Sequence, residues 1–85
     1  METNYAFFKH PRSGDIYACR YDIDTQRIIE AAGPVHQRDA AFERNGDTPS
    51  RAESDAAYAI LSNGADTEAD GAWLDSEIWG VPSKP

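Results

Sequence analysis

The sequence predicts an α+β fold: a small antiparallel sheet of three to four strands, one packed helix, and a short acidic C-terminal helix or loop. Three observations support this class. Aromatic and apolar runs fill the first half of the 85-residue chain, a capped alanine-rich segment follows, and most of the net negative charge lies in the second half. We expect a single small domain that is mainly β over 1–47 and mainly helical over 48–79, with a tail at 80–85.

Two runs, NYAFFKH at 4–10 and IYACRYD at 16–22, predict the first two strands, because aromatic and apolar side chains favour the extended conformation. The PRSGD stretch between them predicts a five-residue hairpin connection. A third run, QRIIEAA at 26–32, predicts a strand that ends before Gly33-Pro34. Alternation leaves apolar side chains on both faces of this sheet, so the pattern does not indicate which face the helix covers.

The segment VHQRDAAFERNGD at 35–47 fits either a further strand or one helical turn, and its Asn-Gly pair at 45–46 predicts a turn in both cases. A helix is predicted for about 51–62. At its start, Ser50 and Glu53 fit a capping box, in which the serine oxygen accepts from the third backbone NH and the glutamate reaches back. Alanines at helical spacing then predict a helix that packs closely on the sheet.

Charge is divided unevenly along the chain. Residues 1–44 hold seven acidic and six basic side chains, whereas residues 45–85 hold eight acidic and two basic ones, for a net charge of −7. A field of this sign repels nucleic acid and anionic membranes, and it attracts basic protein surfaces. We therefore expect a basic protein surface as the partner, with no direct binding of nucleic acid and no membrane contact.

Cysteine use and hydropathy indicate the compartment. Cys19 is the single cysteine, so the sequence offers no internal disulfide. The N-terminal stretch lacks the basic region and apolar run of a signal peptide, and no run approaches the roughly 20 apolar residues of a membrane span. These features lead us to expect a cytoplasmic protein.

The stretch DTEADGAWLDSE at 66–77 carries five acidic residues and no basic one. It predicts an acidic surface that imitates phosphates, with tryptophans as anchors, because interfaces favour aromatic anchors inside a polar rim. The predicted partner-binding residues are Asp66, Glu68, Asp70, Trp73, Asp75, Glu77, Trp79, Glu53 and Asp55. We therefore predict a small protein-binding module, not an enzyme and without a cofactor, that inhibits a partner by occupying its basic nucleic-acid-binding surface.

In size and charge, the chain is similar to small acidic phage-encoded inhibitors of nucleic-acid-handling complexes, the anti-CRISPR proteins among them. The similarity is one of type, because no family motif accompanies it. It implies an inhibitory partner-binding role. A structural or accessory subunit, whose acidic residues serve only solubility, is an alternative.

The acidic stretch also resembles an EF-hand loop. Asp66, Asp70, Gly71 and Glu77 match the calcium-loop pattern, and Glu68 occupies the third ligand position. The resemblance implies a second alternative, a calcium-binding protein with Asp66, Glu68, Asp70 and Glu77 as ligands. Two departures weigh against it: Glu68 is longer than the usual aspartate or asparagine, and the flanking segments contain helix-breaking residues.

Two further interpretations rest on the first half of the chain. Cys19 with His10 or His36 would supply a nucleophile and a base, although a mid-strand cysteine is more typical of a core. Aromatic residues among basic ones would form a base-stacking platform, which the net negative charge opposes. The residues of that platform are Tyr5, Phe7, Tyr17 and Tyr21 with Lys9, Arg12 and Arg20.

Overall fold

The structure, a computed structural model, describes residues 2–45 and 48–63. Three strands form an antiparallel sheet in the order β1-β2-β3: β1 (Thr3–Lys9), β2 (Ile16–Asp22) and β3 (Ile28–Val35). One helix packs against this sheet. The predicted α+β class is therefore confirmed, with three strands in the main sheet. No helix among the described residues is long and apolar enough to cross a membrane.

The chain between the sheet and the helix contains two short elements. A 3-10 helix at Gln37–Ala40 is followed by a two-residue pairing of β4 (Arg44–Asn45) with β5 (Thr48–Pro49). Helix α1 (Arg51–Ser62) begins directly afterwards, within the predicted limits. The described part of the 35–47 segment thus contains both a helical turn and a short strand.

The β1–β2 hairpin closes through a hydrogen-bonded loop. The His10 NH donates to the Asp15 carbonyl at 2.8 Å, and the Gly14 NH donates back to the His10 carbonyl at 3.0 Å. The His10 Nδ1 atom accepts the NH groups of Arg12 and Ser13, at 3.2 and 3.3 Å. β2 has its predicted limits and β1 lies one residue earlier than predicted, so the buried histidine belongs to the turn rather than to the strand.

β3 differs from its prediction, because the strand continues through Gly33-Pro34 instead of ending before it. β3 is an edge strand, and an edge strand tolerates proline because no neighbour needs the missing NH. Gly33 has a φ of 153°, and a β-carbon there would lie 2.9 Å from Cδ1 of Tyr17. Glycine is therefore the residue that fits beneath this ring.

Both faces of the sheet are buried, which explains why neither face is polar in the sequence. We call the side that α1 covers the helix face. There Phe7, Ile16 and Ala18 form a cluster with Ala40 and with Ala57 of α1. The small alanine side chains let the helix approach the sheet closely, and the larger strand side chains fill the remaining volume.

We call the opposite side of the sheet the aromatic face. Its rings include Phe8 and Tyr21, which meet edge to face with their centroids 5.0 Å apart and their planes at 73°. The residues of the aromatic face are Ala6, Phe8, Tyr17, Cys19, Tyr21, Ile28 and Ala31. All three strands thus contribute to a second apolar cluster, separate from the one beneath α1.

Candidate functional site

Most of the predicted partner-binding surface lies outside the described residues. The seven residues concerned are Asp66, Glu68, Asp70, Trp73, Asp75, Glu77 and Trp79. The four residues of the calcium-loop alternative are among them. Within 2–45 and 48–63, no group of three or more His, Cys, Asp or Glu side chains is placed to hold a metal ion. Both interpretations of the acidic stretch therefore stay predictions.

Glu53 lies in the protein interior and not on an exposed acidic surface. Only 2% of it is exposed, and its carboxylate forms a fork-like ion pair with Arg44. Arg44 Nη2 lies 2.6 Å from Oε2, and Arg44 Nε lies 3.0 and 3.2 Å from Oε1 and Oε2. This position corrects the assignment of Glu53 to the partner-binding surface, because the carboxylate is shielded from any partner.

The same ion pair completes the hydrogen bonding of β1 at its outer edge. Glu53 Oε2 accepts the Phe7 NH at 2.9 Å, and Arg44 Nη2 donates to the Phe7 carbonyl at 2.7 Å. Edge strands present such groups without a neighbour, so the two side chains take the place of a further strand at this residue. The Arg44 guanidinium also lies 5.1 Å from the centre of the Phe8 ring, within range of a cation–π interaction.

Local structure explains how the two charged residues meet. Ser50 Oγ accepts the Glu53 NH at 3.1 Å, which is the first half of the predicted capping box. The second half is absent, since the Glu53 carboxylate is engaged by Arg44 and Phe7. The β4–β5 pairing sets Arg44 opposite Pro49, beside the start of α1, and so brings Arg44 to Glu53.

The sequence does contain a signal for the burial of Glu53. Ala57 and Ile60 follow it at four and seven residues, and both pack against the helix-face cluster. This spacing sets Glu53 on the apolar side of the helix. What the spacing does not indicate is the partner, because the pairing with Arg44 requires the chain reversal between β4 and β5.

Asp55, two residues further along α1, is on the surface as predicted for a partner-binding acid. Its Oδ2 lies 3.9 Å from Arg51 Nε, and the side chains are 75% and 95% exposed, respectively. An ion pair this open to water is weak. Asp55 therefore keeps its carboxylate available to a partner.

The proposed nucleophile and bases are engaged in the structure of the sheet and its loops. Cys19 is fully buried, its Sγ donates to the Tyr17 carbonyl at 3.4 Å, and burial raises the pKa of its thiol far above the usual value. The reactive form of cysteine is the thiolate, so this thiol is held in its unreactive state. His10 Nδ1 accepts from the hairpin loop, and His36 caps the 3-10 helix.

The base-stacking platform does not form on one accessible surface. Phe7 is buried on the helix face, whereas Tyr17 and Tyr21 are buried on the aromatic face. Tyr5 is only partly buried and packs against the helix-face cluster. Because these rings lie on opposite sides of the sheet and inside the protein, they offer no common surface for stacking bases.

One open cleft lies at the end of the sheet where the β1–β2 loop meets β3. Its volume of about 200 Å³ is smaller than the roughly 300–1,000 Å³ of small-molecule sites. The lining residues are Lys9, Gly14, Asp15, Ile16, Val35 and Gln37. The size and openness of this cleft do not favour a small-molecule substrate.

The described fold carries little of the net charge. Residues 2–45 and 48–63 hold nine acidic and seven basic side chains, whereas the remaining positions hold six acidic and one basic. The described part therefore accounts for −2 of the net −7. Comparisons with protein-family models, curated proteins and solved structures find no match to this chain.

Proposed function

We propose that this protein is a small acidic binding module that occupies a basic nucleic-acid-binding surface of a partner protein and so inhibits it. The observation that carries the proposal is the distribution of charge: the described fold is nearly balanced, and most of the net negative charge lies outside it. The proposed contact residues are Asp66, Glu68, Asp70, Asp75 and Glu77, with Asp55 on α1.

The physical basis is electrostatic mimicry. A groove that binds nucleic acid is lined with basic side chains that neutralise phosphates. A set of closely spaced carboxylates attracts the same side chains, accelerates association and confers a strong dependence on salt. Small phage-encoded inhibitors of the anti-CRISPR type have this size and charge, and a nucleic-acid-handling complex is accordingly the partner class we propose.

The structure supports binding over catalysis through the residues that it engages elsewhere. Cys19 is buried with a raised pKa, and the two histidines accept hydrogen bonds from loop and helix-start NH groups. Asp55, in contrast, has an exposed carboxylate with one weak ion pair. Among the residues that the structure describes, the cysteine is thus buried and both histidines are hydrogen-bonded, whereas Asp55 offers an exposed carboxylate.

The test is affinity capture from a cell lysate with the full chain immobilised and elution in salt steps. We expect nucleic-acid-handling proteins to be retained at low salt, to elute as salt rises, and to be displaced by competing duplex DNA. Replacing Asp66, Glu68 and Asp70 by lysine should weaken their binding by about tenfold or more, since three attractive charges become repulsive.

The matched control reverses three exposed acids of the described fold, Glu2, Asp24 and Asp39, to lysine. Both triple variants change the net charge by the same amount, so the control should retain much more binding. Equal loss in the two variants, or undiminished binding in the first, would contradict the proposed surface. Retention that requires calcium and disappears with a chelator would instead support the EF-hand-like loop.

A further inference from the structure

The largest side chains of the aromatic face are shielded from water within a single chain. Phe8 and Tyr17 are each 5% exposed, Tyr21 is 3% exposed and Ile28 is 4% exposed. A sheet face that borders solvent normally carries polar side chains, and any large apolar side chains on it stay partly exposed. These four side chains are instead as closed as those of the helix face, where α1 provides the cover.

No helix or 3-10 helix among the described residues provides a cover for the aromatic face. Its cluster contains residues of the three strands, whereas α1 and the Gln37–Ala40 turn belong to the cluster of the helix face. Two polar side chains reach the rim: the Arg44 guanidinium beside Phe8, and the His10 ring with its centroid 6.5 Å from that of Tyr17. A rim contact does not close the middle of a sheet face.

We propose that the aromatic face is the docking surface for residues 64–85 of the same chain. This segment is the longest part of the sequence outside the described residues, and it contains the apolar side chains that a cover needs: Trp73, Leu74, Ile78 and Trp79. An indole presents enough apolar surface to lie across rings of this size. Three acids of the segment precede these apolar residues in sequence and two lie between Leu74 and Ile78, and in this proposal the acids remain for solvent and for a partner.

The length of the segment is sufficient to reach the opposite side of the sheet. An extended chain of this length spans about 70 Å, and the longest dimension of the protein is 29 Å. The occupant is this chain and not a second copy, because the face is already closed within one chain. Trp73 and Trp79 thereby become packing residues of the fold, in contrast to the anchor role that the sequence alone predicts.

The first test is nuclear magnetic resonance on the full chain without substitution. We expect NOEs between the indole protons of Trp73 or Trp79 and the ring protons of Tyr17 or Tyr21. Isotope-filtered experiments on a mixture of labelled and unlabelled chains identify the source. Intermolecular NOEs, indole NOEs only to helix-face residues such as Phe7, or no NOEs from the segment to the aromatic face would each overturn the proposal.

The second test follows the thiol of Cys19, which lies on the aromatic face. Replacing Trp73 or Trp79 by alanine should speed its reaction with a thiol reagent by about tenfold or more, because uncovering lowers the cost of local opening. The matched control is Tyr58→Ala, because Tyr58 is 54% exposed on α1 and its ring contacts Tyr5 on the helix side of the sheet, so its loss should change the rate much less. Circular dichroism checks that each variant keeps its helix, and unchanged rates in both tryptophan variants would overturn the proposal.

The docking of residues 64–85 and the proposed binding function are tested by different measurements. The first concerns apolar residues and is measured on the isolated protein, whereas the second concerns carboxylates and is measured by capture of a partner. Missing NOEs with salt-sensitive capture would overturn the docking alone. Clear NOEs with no difference between the two charge-reversal variants would overturn the acidic partner-binding surface alone.

Discussion

Glu53 and Asp55 are acids two residues apart at the start of one helix, and the structure gives them opposite environments. Glu53 is buried, bonded to Arg44 and to the backbone of Phe7. Asp55 is exposed, with Arg51 at 3.9 Å. An acidic count along the sequence treats the two alike. The difference teaches that part of the charge of this chain stabilises the fold, and only the remainder is available to a partner.

The largest expected effect on stability comes from replacing the buried acid, Glu53. Glu53→Gln should lower the free energy of unfolding by about 3–5 kcal/mol, because it leaves the Arg44 guanidinium buried without its counter-charge. Urea denaturation followed by circular dichroism measures the change. A loss below about 1 kcal/mol would show that the pair behaves like a surface ion pair.

A double variant separates the charge from the edge hydrogen bonds. Replacing Glu53 by leucine and Arg44 by methionine together removes both charges, so we expect it to recover part of the loss. A remaining deficit of about 1–3 kcal/mol is expected from the Phe7 NH and carbonyl, which lose their partners. Full recovery would mean that these two backbone groups find other partners.

The next effect extends the comparison to Cys19, a buried group that is neutral. Burial raises the pKa of its thiol in the folded state, whereas the unfolded value is about 8.5. The buried, protonated thiol therefore contributes fully to stability below about pH 8.5. This contribution is lost as the pH rises above that value, by up to about 1.4 kcal/mol for each further pH unit.

Urea denaturation midpoints measured at several values between about pH 7.5 and 9.5 give the dependence of stability on pH around the unfolded pKa of about 8.5. The Cys19→Ala variant is the control and should show a flatter profile over the same range. Burial also raises the pKa of Tyr21, and this adds a further loss only above the usual tyrosine value of about 10. Identical slopes in the parent and the variant would contradict the assignment to Cys19.

A smaller effect is expected at the helix start that both acids share. Ser50→Ala removes the oxygen that accepts the Glu53 NH and should cost about 1 kcal/mol. Ser50→Asp keeps an acceptor at the cap and should retain most of the stability. Thermal unfolding of the three proteins measures the order, and equal midpoints for alanine and serine would show that the cap contributes nothing.

The smallest effect on stability is expected at the exposed acid, Asp55. Asp55→Asn should change the free energy of unfolding by less than about 0.5 kcal/mol, since the ion pair with Arg51 is solvated. Denaturation at low and high salt should give nearly the same difference. A cost above about 1 kcal/mol would place Asp55 in the fold rather than at its surface.

Much of the fold was predictable because its signals are local. The β1–β2 hairpin follows from two aromatic strands around a Pro- and Gly-containing loop, and α1 begins where Ser50 provides a cap. The predicted end of β3 was wrong, because Gly33-Pro34 taken by itself indicates the end of a strand. Its tolerance depends on the edge position of the strand and on the Tyr17 ring above Gly33, which are properties of the assembled sheet.

The site was less predictable because its contacts join distant parts of the chain. The helical spacing of Glu53 with Ala57 indicates burial, but the partner Arg44 precedes α1 and reaches it only through the β4–β5 reversal. The hydrogen bonds to Phe7 depend on β1 being an edge strand. Neither relation is contained in the local residue pattern.

The hydrogen bonding at the outer edge of β1 is completed by residues far along the sequence. Phe7 precedes Arg44 by 37 residues and Glu53 by 46, and contacts of such separation form slowly because long loops must close first. Until they form, the Phe7 edge offers a template for pairing with another molecule. We therefore expect self-association to be most frequent after the first hairpin has formed and before α1 docks, during synthesis as well as refolding.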